Sequence, residues 1–223
     1  MNQRMLVITN IVRMTTPKDA DTMTESTTNR DRLMLTAIDL MAEKGYQGVT
    51  TKEIAAAAGV SEMTLFRQFG TKLQLLEQAI DRFHYAGEME ELFSTRLTWS
   101  LREDLLRITR AYHDIMDRNR KLVLVMLRSA ELSDLRDRAQ DHPRQLQQLL
   151  TAYFQEMQRQ GKVKAIDSEA QAMAFMWMNY GAFISRLHNA DLITAVSQEQ
   201  FLQTSIALFV DALTPINERI TER

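Results

Sequence analysis

Four side chains in one short stretch, Met63, Thr64, Arg67 and Gln68, are spaced to share one face of a helix, where residues three and four apart are neighbours. Their chemistry is that of base recognition. An arginine fork matches the two acceptors of guanine in the DNA major groove, and a glutamine amide matches the acceptor and donor of adenine. For both residues a phosphate oxygen is the alternative partner. Thr50, Thr51, Lys52 and Lys72 carry hydroxyl and ammonium groups suited to holding a phosphate backbone in place. Ser61 and Phe66 complete the candidate DNA-binding set. No competing chemistry is as well spaced. His84, His113, His142 and His188 show no metal-ligand grouping, and there is no Cys, phosphate-cradling glycine loop or H-E-x-x-H. His113 and Asp117 stand one helical turn apart and read as a surface pair. No catalytic residue, cofactor or metal site is expected, and an enzyme is the less favoured reading.

Base-reading side chains need a rigid support, and the flanking residues supply one. Thr50 suits a helix N-cap, with Glu53 three residues on to close a capping box. Ile54 and Ala58 then lie on one face, and Gly59 ends the helix because glycine tolerates the left-handed turn. Ser61 suits the next N-cap, opening a second short helix in which Leu65 and Phe69 point inward. Two short helices joined by a glycine turn, here residues 50–69, make a helix-turn-helix whose second member enters the major groove. Upstream, residues 29–44 carry Leu33, Ala37, Leu40 and Met41 as one apolar stripe, closed by Gly45. Downstream, a fourth helix starts near Thr71 with Leu73, Leu76, Ile80 and Phe83 on it, and is expected to run as one rod to about Phe93.

These residues resemble the DNA-binding domain of the TetR family of bacterial transcriptional regulators. The resemblance spans about Asn29 to Leu76. It rests on Ala42-Glu43-Lys44-Gly45-Tyr46, Val49-Thr50, Ile54-Ala55, Ala58-Gly59-Val60-Ser61, Thr64-Leu65-Phe66, Phe69 and Lys72. It implies an all-α fold: an N-terminal three-helix helix-turn-helix DNA-binding domain at 28–76, then a larger helical ligand-binding and dimerisation domain at 77–223. It also implies a cytoplasmic repressor that binds an operator in double-stranded DNA as a homodimer and is released by a small-molecule effector. The chain departs from the family pattern at Phe66, where Tyr is usual, and at Gln68, where an aromatic or His is frequent. Glu62 puts a negative charge at the start of the recognition helix, which suits the helix dipole but repels phosphate.

Charge alone does not announce a nucleic-acid binder. The 223 residues carry a formal net charge of −2. From Asn29 to Glu77 the cations Arg30, Arg32, Lys44, Lys52, Arg67 and Lys72 are balanced by Asp31, Asp39, Glu43, Glu53, Glu62 and Glu77. A basic face must come from how these groups are sorted in space. With 7 Gly and 3 Pro, long helices are favoured over many tight turns. No apolar run approaches the ~20 residues of a membrane span. Residues 1–27 lack sustained periodicity and read as a disordered arm, with Met14 or Met23 as alternative starts. The family resemblance offers Arg13, Lys18 and the nearby Arg30 as candidate DNA contacts, with a solvated tail as the favoured role.

The remainder is rich in Met and aromatic residues, which suit a pocket for varied apolar ligands. Phe83, Met89, Phe93, Tyr112, Met126, Met173, Trp177 and Tyr180 are the candidate lining residues, with ordinary core packing as the alternative for each. Ser100 and Glu103 form a further capping box, and Pro143 and Gly161 bracket a long helix. The last two helices, about 168–187 and 198–214, carry more apolar surface than one core needs. The family resemblance assigns them to a four-helix bundle across a two-fold axis. A protein-interaction adaptor that uses the helix-turn-helix as scaffold is the other alternative.

Overall fold

The computed structural model describes residues 29–83, 86–187 and 194–215, and among them every regular element is a helix. The expected all-α class is met. The N-terminal arm with Arg13 and Lys18, the alternative start sites, His84 and His188 lie outside the described residues.

The chain divides into two compact units. The described part of the first takes residues 29–83 and 118–141. It contains α1 (Asn29–Lys44), α2 (Thr51–Ala57), α3 (Glu62–Phe69), α4 (Lys72–Phe83), α7 (Arg120–Arg128) and α8 (Ser133–Ala139). The apolar stripe of α1, with Leu33, Met34, Ala37, Ile38 and Met41 all buried, lies against α2, α4 and α7. Ile54, Leu65, Phe69, Leu75 and Leu76 close the same core. Gly59 turns the chain between α2 and α3 with φ at 68°, a region L side chains enter at a cost. One segment is not visible in the periodicity. Where the sequence pattern places a boundary after residue 76, this unit also holds residues 77–83 and a returning segment. Leu122, Val125, Leu132 and Leu135 of that segment are buried in the first unit's core. The rod expected from Thr71 to Phe93 passes through residues 84 and 85, which lie outside the described residues. Before them stands α4, to Phe83, and after them α5 (Ala86–Glu91) with a π-helical turn at Leu92–Arg96.

The second unit, residues 86–117 and 142–215 where described, contains α5, α6 (Leu101–Arg118), α9 (Asp141–Arg159), α10 (Ser168–Leu187) and α11 (Gln198–Leu213). The last two match the expected spans within a residue. Their inner faces bury Ala172, Phe175 and Phe183, and Leu202, Ile206 and Leu213. Phe175 meets Phe209 edge to face at 5.4 Å. At the start of α6 the capping carboxyl is Asp104, where Ser100 with Glu103 is expected from the sequence. Asp104 is fully buried and accepts from the Thr98 backbone N–H at 2.8 Å, the Thr98 hydroxyl at 3.0 Å and the Tyr153 hydroxyl at 3.3 Å. Trp99 beside it has a left-handed φ of 61°. Stacking on Tyr153 at 5.8 Å and a 2.7 Å bond from Lys162 Nζ to its carbonyl hold it there.

Candidate nucleic-acid interface

The helix-turn-helix is built by local bonds before any packing is considered. The Thr50 hydroxyl accepts from the Glu53 N–H at 3.2 Å, and the Glu53 carboxylate accepts from the Thr50 N–H at 2.9 Å. Those bonds, with Lys44 at 3.1 Å, pull the Glu53 carboxyl down to about 2. Ser61 caps α3: its hydroxyl accepts from the Thr64 N–H at 3.2 Å and shares a 2.9 Å bond with the Thr64 hydroxyl. Across the turn, the Thr51 hydroxyl donates to Glu62 at 2.6 Å. The negative charge at the head of α3 is therefore tied to the start of α2.

With Leu65 and Phe69 buried beneath, α3 presents Met63, Phe66 and Arg67 outward, Met63 being 76% exposed. Lys52 on α2 is exposed as well. Thr64 and Gln68 are half-buried, and Gln68 Oε1 is enclosed without a hydrogen-bond partner. Sorting in space resolves the neutral charge count. Lys44 pairs with Glu53, Arg82 with Asp31 at 3.4 Å, and Lys121 with Asp39 at 2.8 Å. Arg32 donates to the Ala58 carbonyl, and Arg30 reaches Gln78 and lies over the Phe69 ring. Lys72 turns inward to the carbonyls of Tyr46 at 2.7 Å and Val49 at 2.8 Å. Lys52 and Arg67 are left without an ion pair among the described residues.

The eight candidate lining residues divide between the two units. Phe83 and Met126 pack on the core of the first unit. Met89, Phe93 and Tyr112 are buried in the second, Met173 is half-buried, and Trp177 and Tyr180 face outward from α10. His113 corrects the surface reading: it is fully buried, and its Nδ1 lies 3.0 Å from the Arg186 guanidinium, which also holds Asp117. Spacing held the signal, since Leu105, Thr109, Tyr112, His113 and Met116 follow one helical stripe.

The family model described as bacterial regulatory proteins, tetR family, matches residues 33–79. An uncharacterised HTH-type transcriptional regulator of Bacillus subtilis strain 168, YvkB, is 32% identical over 184 residues, covering 82% of this chain and 96% of that protein. The chain belongs to the TetR family. This TetR-family regulator also shares its fold with PfmR of Thermus thermophilus, at TM-score 0.66 and 20% identity over 85% of this chain and all of that one. A second solved relative in fold, AibR in complex with isovaleryl coenzyme A and operator DNA, has TM-score 0.62 and 19% identity over 81% of this chain and 97% of its own. No helix among the described residues is long and apolar enough to cross a membrane, and none of their His, Asp and Glu side chains gather as a metal site.

Proposed function

We propose that this TetR-family regulator is a cytoplasmic repressor that binds a palindromic operator as a homodimer and leaves it when a small, largely apolar effector binds. The observation that carries the reading is the exposed face of α2 and α3. Lys52, Met63, Phe66 and Arg67 stand outward over a packed three-helix core, and both cations are uncommitted. In this role Arg67 reads guanine and Lys52 holds phosphate. Thr50, Thr51, Ser61 and Thr64 shape the turn, with hydroxyls at the rim. Gln68 reaches a base by releasing its enclosed oxygen. Lys72 acts through the turn it clamps. Residues 28–76 serve as the DNA-binding domain, supported by 118–141, and the rest as the effector and dimer domain.

Dimerisation is assigned to the outer faces of α10 and α11. Trp177 is 67% exposed, Leu208 66% and Tyr180 41%, on helices whose opposite faces are already buried. Apolar side chains concentrated on one surface mark a docking face. A two-fold pair then sets two α3 helices on successive half-sites of one duplex. An effector that prefers the non-binding form by ~3 kcal/mol weakens operator binding roughly a hundredfold. Compounds with an apolar acyl chain, such as the one carried by the isovaleryl coenzyme A in the AibR complex, are the first to try.

A gel shift with the DNA flanking the chain's own gene, at two salt concentrations, tests the reading. Binding that prefers one palindrome and weakens steeply with salt is expected. No shift at either salt overturns it and favours the interaction adaptor.

A further inference from the structure

Helices α6 and α10 carry three buried polar side chains, each with one atom that the fold leaves without a partner. Thr109 and His113 are fully buried and Asn179 is 2% exposed, yet Thr109 Oγ1, His113 Nε2 and Asn179 Oδ1 have no hydrogen-bond partner. A buried polar atom left without any partner costs stability. Their hydrogen-bonding roles can be read from the neighbours. Arginine only donates, so His113 Nδ1, beside Arg186, is the ring's acceptor and the ring proton sits on Nε2. Asn179 Nδ2 donates to the Phe175 carbonyl at 2.9 Å, which fixes the amide with Oδ1 free. The Asn179 side chain lies beside the His113 ring and raises its pKa, while His113 Nε2 and Asn179 Oδ1 each have no hydrogen-bond partner. Thr109 lies one turn from His113 on the same face of α6.

The trio thus offers a donor, an acceptor and a hydroxyl that can be either. It carries no net charge. The nearby cation, Arg186, is answered by Asp117 at 3.1 Å and 3.2 Å. Beside Asn179 lies a small cavity of about 10 Å³, walled by Ile108, Tyr112, Leu146, Leu150, Phe175 and Met176. That is the space of about one water.

We infer that Thr109, His113 and Asn179 are the polar anchor of the effector site, and that the effector carries an uncharged group with a donor and an acceptor side by side. A primary amide, a hydroxyl or an un-ionised carboxyl fits, with an apolar remainder against Ile108, Leu146, Leu150 and Met176. The inference rests on the chain being an effector-released regulator. An ionised carboxylate is excluded by the cost of burying a charge that no free cation meets. Since the cavity holds only about a water, admitting such a group parts α6 from α10, and that movement is the signal sent to the rest of the chain.

The test measures the melting temperature of the full chain at pH 7 with decanamide, 1-decanol and decanoate. The two neutral probes are expected to raise it, with decanoate at least tenfold weaker. Thr109→Val and Asn179→Leu, both close in volume to the original, should abolish the response. They should also leave the ligand-free melting temperature unchanged or higher by a few degrees, because an unmet polar atom has been removed. A merely structural trio predicts the opposite: lower stability with the probe response intact. That result overturns the inference, as does tightest binding by decanoate or no binding of any probe. Operator gel shifts on the same proteins keep the two readings apart. Wild-type protein that binds operator but no probe sinks the anchor and leaves the regulator standing, whereas loss of operator binding sinks the regulator itself.

Discussion

The ammonium of Lys72 stands 4.2 Å from the centre of the Tyr46 ring and donates to the Tyr46 carbonyl at 2.7 Å. With its second bond, to Val49, it ties the first turn of α4 to the loop that leads into α2. Burial lowers the pKa of this lysine, and the Glu131 charge opposes the shift. The side chain that the sequence marks as a phosphate contact is thus engaged inside the helix-turn-helix.

Lys72→Met should cost about 1.5–3 kcal/mol, the usual worth of hydrogen bonds from a charged group. Urea denaturation checks this. Operator affinity should fall with an unchanged salt slope, since no phosphate contact is lost. A slope reduced by about one would mean that Lys72 reaches the DNA after all.

Arg67→Ala should leave the melting temperature as it is, because the side chain is exposed and unpaired. It should cost about 1–3 kcal/mol of operator binding and relax preference at one base position. Lys52→Ala should weaken binding evenly across sequences. Binding to a panel of singly substituted operators separates the two, and equal losses on every operator for Arg67→Ala would assign it to phosphate.

Phe69→Ala should cost about 3–5 kcal/mol, since the ring is buried where α1, α3 and α4 share one core. The helix-turn-helix should unfold at lower urea than the wild type, and operator binding should go with it. A variant that melts normally would show that the small core repacks around the loss.

Trp177→Glu and Leu208→Glu should yield monomers by light scattering, with secondary structure intact, since both residues project from surfaces that take no part in the second unit's core. A palindromic operator should then bind far more weakly, because one half-site must hold alone. Persistent dimers in both variants would move the interface elsewhere.

His113 is held neutral. Its pKa is pushed down to about 4 by burial first and then by Arg186, against the opposing pull of Asp117, Asn179 and Asp114. The unfolded chain takes this proton near the ordinary value of 6.5, above the folded one. Stability should therefore rise with pH across the window from about 4 to 6.5 and be lost as pH falls through it. Melts from pH 4 to pH 7 should show a steeper loss in the wild type than in His113→Gln, and parallel curves would contradict the assignment.

Much of the helix-turn-helix is legible in the sequence because its signals are local. Thr50 with Glu53, Ser61 with Thr64 and the glycine at position 59 act within four residues of chain, so spacing alone places them. The spans of α10 and α11 follow from their apolar density along the chain. The roles of the site residues are less legible than their positions. Thr51 holds Glu62, and Lys72 holds the Tyr46–Val49 loop, because a long side chain reaches partners that no periodicity names.

The order and type of the residues thus determined the all-α class, the helix-turn-helix and the family, since capping and periodicity are written in neighbours along the chain. Tertiary structure alone decided which cations stay free, that residues 118–141 return to the first unit, and that Thr109, His113 and Asn179 are all buried in the second. Those outcomes depend on contacts between residues tens of positions apart, and such contacts leave no pattern in sequence until the chain has folded.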